Sequence, residues 1–289
     1  MPQPYGSLGE DDTLRIASAN LEEGGIEEDS STARWALSIA ALAAWEPHVV
    51  CVQEMAARRD PLRLRKHLQA TANALGMIPV LGSEGGVSGN HTAILVSPEL
   101  TVIDTGPPPR QPGHDPAWTE ALLRLPSGVT LSVYSIHLPP GSATEQRIHA
   151  ERLASQVSQR GERTIAAGDW NCWAPSATFT PGALAAMPPH LRPARMRQHG
   201  GQWAANHDVH DILAGTGLVD AAAGLEPARR DPPGLPPVVD RFYVTAGIWD
   251  AGAVQGYART DGGGSDHPFA LLTLGAAGLD RAAAPGFQP

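Results

Sequence analysis

Eight short runs rich in Val, Ile and Leu recur between turn signals, and five polar sites stand at the ends of such runs. The runs are Leu14–Ser18, His48–Gln53, Thr92–Val96, Ala121–Leu125, Leu131–His137, Thr164–Ala167, Val238–Val244 and Pro268–Leu274, each of strand length. Helical periodicity covers Thr32–Trp45, Pro61–Leu75, Thr144–Gln159 and Val209–Thr216. Strands and helices therefore mix without strict alternation. The chain has 289 residues, enough for one large core, and no composition break divides it. One domain over 13–275 is expected, with a disordered N-terminus at 1–12 and a flexible tail at 276–289, rich in Ala, Gly and Pro.

The polar residues that close these runs carry the chemical signal. Asn20 follows Leu14–Ala19, Glu54 follows Val49–Gln53 and His137 ends Leu131–Ile136. A Glu closing a buried strand is costly unless it is paired, metal-bound or at an exposed end. Ala167-Gly168-Asp169-Trp170-Asn171 puts an acid and an amide two residues apart, so that on extended backbone both can meet one reacting group. Taken alone, Gly168-Asp169-Trp170-Asn171 reads sooner as an Asx turn closing a strand. Gly264-Ser265-Asp266-His267-Pro268 sets adjacent Asp and His at the mouth of a strand, after three glycines that suit an acid–base pair close to a ligand. Its bland reading is a polar turn. Five strands ending in such groups can converge on one rim of a sheet sandwich, the arrangement that metal-assisted phosphoryl chemistry needs.

Composition narrows the partners. Hydrophobic residues make up 42% and charged residues 18%, while 31 Gly and 27 Pro imply long loops. A net charge of -9 argues against a dedicated non-specific DNA binder, although carboxylates of a metal site contribute to it. The acidic N-terminus has no apolar core of signal-peptide length, and no run spans a bilayer, so a cytoplasmic protein without a membrane span is expected. Cys51 and Cys172 are expected as reduced thiols rather than a disulfide. The longest irregular stretch, Cys172 to Asn206, is expected to be functional or disordered.

The ordered set Asn20, Gln53-Glu54, Ser135-Ile136-His137-Leu138, Gly168-Asp169-Trp170-Asn171, Val239-Asp240-Arg241-Phe242 and Ser265-Asp266-His267 resembles the endonuclease/exonuclease/phosphatase superfamily. The likeness runs from about residue 14 to 274. It implies an α+β, four-layer αββα sandwich, with two mixed β-sheets packed face to face and helices outside. It also implies a Mg²⁺ site, Mn²⁺ being an alternative, with Glu54 as main ligand, Asn20 in or beside the coordination shell and Asp266 on the far side. Asp169 would orient or deprotonate the attacking water and Asn171 would hold a phosphate oxygen. His267, kept in one tautomer by Asp240, and His137 opposite would serve the developing charge and the leaving group. In this chain Asn20 is followed by Leu21-Glu22-Glu23, where many relatives place a second amide.

The resemblance implies a phosphate-ester substrate, with DNA and RNA among the candidates, and the protein is expected to act as a monomer. Arg58 and Arg59, just beyond Glu54, are candidate contacts to further phosphates, whereas Arg63, Arg65, Lys66 and His67 read as a solvated helix face. A second basic group, Arg192, Arg195, Arg197 and His199, lies in the long loop. Trp173 is a candidate substrate contact, while Trp170 reads as core under the turn. The first functional reading is a nuclease. The alternative is a phosphatase or phosphodiesterase of a small metabolite or lipid head group, and a non-catalytic binding module on the same fold is a third, disfavoured by the intact set of site residues.

Overall fold

The computed structural model describes residues 13–26, 31–56, 61–82, 90–105, 118–173, 175, 187–199, 202–225 and 239–282. Residues 1–12, the last half of the tail (283–289), Arg58 and Arg59 lie outside the described residues.

Two six-stranded mixed sheets form the centre. The first contains β1 (Thr13–Asn20), β2 (Val49–Ala56), β3 (Ile78–Leu81), β4 (Asn90–Val96), β13 (Val254–Thr260) and β14 (Phe269–Gly275), in the order β13-β14-β1-β2-β4-β3. The second contains β5 (Thr101–Asp104), β6 (Trp118–Arg124), β7 (Thr130–His137), β8 (Thr164–Asp169), β11 (Leu218–Asp220) and β12 (Asp240–Thr245), in the order β11-β12-β8-β7-β6-β5. Their facing surfaces bury Ile16, Val49, Cys51, Ile94, Leu123, Val133, Ile165, Phe242 and Leu272 in one core. The outer face of the first sheet packs on α1 (Ala33–Ala43) and α2 (Pro61–Leu75) through Ile39, Leu42, Leu64 and Leu68. The outer face of the second sheet packs on α3 (Ala143–Arg160) and the helix Asp208–Gly215 through Leu153, Val157, Val209 and Leu213. The result is the four-layer αββα sandwich.

Local chemistry explains the helices. In α3 the Ser142 hydroxyl accepts from the backbone N–H of Glu145, and Gly161 ends the helix with φ at 92°. Gln146, His149, Ala150, Leu153, Ala154 and Val157 recur at helical spacing and supply the buried face.

Each of the eight apolar runs is an interior strand of one sheet or the other. All four edge strands, β13, β3, β11 and β5, lack such a signal. An edge strand has only one hydrogen-bonded neighbour, and its burial is partial: β5 exposes three of its four residues, and β3 contains Pro79, which an edge tolerates.

Two expectations are corrected. Rather than fraying after Gly275, the chain forms a helix over Ala276–Arg281, held because Leu279 is fully buried in the main core. The described part of the stretch after Cys172 is ordered as the helix Arg192–Arg195 and an antiparallel ribbon of β9 (Met196–His199) and β10 (Gln202–Ala205), rooted by Met196 packing against Trp173, Met187 and Val239. Cys51 and Cys172 are both free and buried. No helix among the described residues is long and apolar enough to cross a membrane.

Candidate active site

Strand direction brings the polar strand ends together. β1 and β2 run parallel with Asn20 opposite Gln53, and β7 and β8 run parallel with His137 opposite Asp169. β12 and β14 run antiparallel to their neighbours, so they begin on the rim where the others end; Asp240 pairs with Asp169, and His267 lies just before β14. Asn20, Glu54, His137, Asp169, Asn171, Asp240 and His267 thus meet on one rim.

The centre of the cluster is Oδ2 of Asp169. The amide of Asn20 donates to it at 3.1 Å and that of Asn171 at 3.2 Å, while Nε2 of His137 lies at 3.7 Å and Nε2 of His267 at 3.9 Å. Its other oxygen, Oδ1, accepts the backbone N–H of Asn171 at 2.8 Å. Oδ1 thus closes the Asx turn that the motif suggests, while Oδ2 faces the polar cluster. That turn stabilises Asn171 in a left-handed conformation, φ 48°. Glu54 is also left-handed, φ 53°, at a bulge in the β2–β4 pairing that turns its carboxylate toward the site. Its Oε1 accepts from Nδ2 of Asn20 at 3.1 Å and lies 3.6 Å from His137.

Gly168 is required for a different reason. At φ 152° a Cβ on it would stand 1.9 Å from the carbonyl oxygen of Ile136 on the neighbouring strand. The glycines before Ser265 have a packing role as well: a Cβ on Gly263 would meet the carbonyl oxygen of Leu37 in α1 at 2.6 Å. Ser265 then fastens this loop to β1, donating to the carbonyl of Asn20 at 2.7 Å and accepting from the backbone of His267 at 3.1 Å.

Electrostatics divide the groups into roles. Burial alone would push the carboxyl of Asp169 up, but His267, His137 and the Asn171 amide outweigh it and hold Asp169 below the ordinary carboxylate range. Burial likewise disfavours a charged His267, yet Asp240, followed by Asp169 and Asp266, pushes the ring up to about 10. Asp240 accepts from Nδ1 of His267 at 2.9 Å, and its own carboxyl is raised by burial, with His267 opposing the shift. The pair shares a proton, which we place on His267 because three carboxylates face that ring.

Cation-binding geometry is present: ligand atoms of Glu54, His137 and Asp169 all lie within 4.8 Å of one another, and those of Asp169, Asp240 and His267 form a second such group. Carboxylate oxygens beside an amide suit a hard divalent ion, so the donor set fits. Asp266 is 61% exposed and faces His267 from the outer side, with its Oδ1 3.8 Å from Nε2.

Three contacts at the rim are visible only in the folded chain. Where a second amide side chain is missing, the left-handed backbone at Glu22 and Glu23 substitutes: the N–H of Glu22 donates to Oδ1 of Asn20 at 3.0 Å, and that of Glu23 to Glu54 at 3.4 Å. Arg195 reaches the site, donating to Oδ1 of Asn171 at 2.8 Å and lying over the Trp173 ring at 5.4 Å. Trp173 itself is buried. Beneath the rim, Gln53 is buried between the sheets and donates to the Ser135 hydroxyl at 3.0 Å. Of the other basic candidates, Arg197 pairs with Asp208 and Arg192 donates to the Met187 carbonyl. Trp170 is fully buried and donates to the Arg241 carbonyl, and so belongs to the core.

A family model described as Endonuclease/Exonuclease/phosphatase family matches residues 17–267. The chain belongs to this family. Its members are divalent-metal-dependent phosphoester hydrolases. No curated protein matches the chain in sequence. Among solved structures, it is similar to the endonuclease domain of TRAS1, a telomere-specific non-LTR retrotransposon, at 16% identity and TM-score 0.55, covering 91% of this chain and 98% of that one. D. rerio TDP2 complexed with single strand DNA product matches at 18% identity and TM-score 0.56, covering 91% and 99%. The mannosyl-6-phosphatase Bt3783 of Bacteroides thetaiotaomicron matches at 16% identity and TM-score 0.57, covering 90% and 98%. At these identities the likeness speaks for the fold.

Proposed function

We propose that this family member is a Mg²⁺-dependent phosphoesterase that hydrolyses a phosphodiester by in-line attack of water, in the manner of a nuclease and as a monomer. The observation that carries the reading is the setting of Asp169, whose Oδ2 is ringed by two amides and two imidazoles while its carboxyl is held ionised. An ionised carboxylate in that position orients the attacking water by accepting its hydrogen bond, or takes its proton. His267, cationic and fixed by Asp240, faces the charge that develops on the phosphoryl oxygens, and His137 stands on the opposite side for the leaving group. Asn171, braced by Arg195, would hold a phosphate oxygen by trading one of the hydrogen bonds its amide makes to Asp169 and to the Leu138 carbonyl. Glu54 would hold the divalent ion, Mn²⁺ substituting for Mg²⁺, with Asn20 beside it and Asp266 on the far wall. When bound, the ion supplies neutralisation of phosphate charge.

A second reading, a phosphatase or phosphodiesterase of a small metabolite, is favoured by the net charge of -9, which gives an extended polyanion little to hold. The deciding experiment is hydrolysis of plasmid DNA, single-stranded DNA, RNA, nucleotides, sphingomyelin and inositol phosphates with Mg²⁺, Mn²⁺ or EDTA. EDTA-sensitive cleavage of nucleic acid is expected. Activity confined to small esters selects the second reading, and no metal-dependent turnover of any substrate by fresh, folded protein would sink both.

A further inference from the structure

The β9–β10 ribbon is rooted beside Asn171 and brings two further features to the rim. At its root, Arg195 donates to Asn171, lies over Trp173 and is only half-buried. Its Nε has no hydrogen-bond partner among the described residues. Both hydrogens of the Asn171 amide are engaged, one by Asp169 and one by the Leu138 carbonyl, so the guanidinium is the cation that this corner presents to an anion.

Further along the ribbon is Trp203, which is 47% exposed. Its side of the ribbon follows from the register. Met196 pairs with Ala205 and Gln198 with Trp203, and directly opposed residues share a face, as do residues two apart. The Met196 and Ala205 face packs against Trp173 and Val239, the neighbours of Asn171 and Asp240. Trp203 is on that same face, one strand repeat, about 7 Å, farther out. An indole left open to solvent on the face of the ribbon that packs toward the site, on the same ribbon whose root anchors a guanidinium, suits a substrate with a phosphate and a planar ring a short distance from it.

We infer that Arg195 and Trp203 form a substrate wall for a nucleobase-bearing phosphate ester, the guanidinium taking a phosphate oxygen and the indole stacking on the base. This rests on the phosphoesterase reading for the location of the phosphate. It narrows that reading to nucleotides and oligonucleotide ends, gripped by one base and its phosphate rather than along a basic track. Stacking suits an acidic protein, because a base offers a π-face whatever the charge of the surface.

The test is the apparent affinity of the full chain, in Mg²⁺, for adenosine 5′-monophosphate and for ribose 5-phosphate, read by calorimetry where the ester is stable and as KM where it is turned over. The nucleotide should bind roughly 5- to 100-fold more tightly, the range of one base stacked on an aromatic ring. Trp203→Ala should shrink that gap to under about twofold and Trp203→Phe should keep most of it. Arg195→Gln should weaken both ligands together. Equal affinity of the wild type for the two esters, or a gap that survives Trp203→Ala, overturns the wall, as does loss of phosphatidylcholine-vesicle binding in Trp203→Ala with no effect on the nucleotide. A gap that depends on Trp203 in a protein that hydrolyses no ester would instead retire the phosphoesterase reading and leave the wall standing.

Discussion

Nδ2 of Asn20 donates to Oδ2 of Asp169 at 3.1 Å, joining two residues 149 positions apart that belong to different sheets. The same nitrogen donates to Glu54, so one amide bridges two carboxylates that would otherwise repel. Asn20→Asp replaces the bridge with a third negative charge. In EDTA, urea unfolding of this variant should show a loss of about 1–3 kcal/mol, with part regained in Mg²⁺. Unfolding midpoints equal to wild type in EDTA would mean that the bridge contributes nothing.

Gly168→Ala tests the tight approach of β8 to β7. The added Cβ meets a backbone carbonyl at 1.9 Å, and backbone cannot swing aside as a flexible side chain does. A loss of about 2–4 kcal/mol is expected, together with weakened turnover, because Asp169 is the next residue. Circular dichroism melts and initial rates measured on one preparation would reveal a variant that behaves as wild type.

Asp240→Asn keeps the shape of the buried side chain and removes its charge. His267 then loses the partner that fixes Nδ1 and the largest contribution to its raised pKa. The hydrolysis rate should fall roughly 10²–10⁴-fold with the near-ultraviolet spectrum unchanged. A rate within a few-fold of wild type would remove Asp240 from the machinery.

Two half-buried histidines favour the fold most when they are neutral. His67 and His210 are both held below the ordinary value of 6.5, chiefly by burial. A histidine whose pKa is lower in the folded than in the unfolded chain takes up a proton on unfolding. Its contribution is thus complete above 6.5 and is lost as pH falls through that value toward the folded one. His267, raised to about 10, has the opposite sign over this range, so the contribution is read by difference: His67→Gln, which can still donate to the Gly24 carbonyl as Nε2 of His67 does, should lose more urea midpoint relative to wild type at about pH 7.5 than at about pH 5.5. A difference between His67→Gln and wild type that is the same at both pH values would contradict the assignment.

The sequence by itself determined the eight interior strands and the polar residues at their ends. A strand with neighbours on both sides must bury nearly every residue, which leaves an unbroken apolar run, and the residue that ends it stands out by contrast. Edge strands such as β3 and β5 left no such trace, because half their surface answers to solvent. The helix at Ala276–Arg281 was equally hidden, being held by where Leu279 lands rather than by its own pattern. Only the tertiary structure decided which polar groups meet. Parallel pairing puts Asn20 beside Gln53 and His137 beside Asp169, and face-to-face packing of the sheets then brings Asn20 to Asp169. It also delivered Arg195, which in sequence was one of several arginines in a long loop; a ribbon rooted on Trp173 carries it to Asn171, while its neighbour Arg197 is turned away to Asp208. Burial leaves its mark on each residue separately, whereas a contact between distant residues depends on register and on strand order, which no single stretch of chain contains.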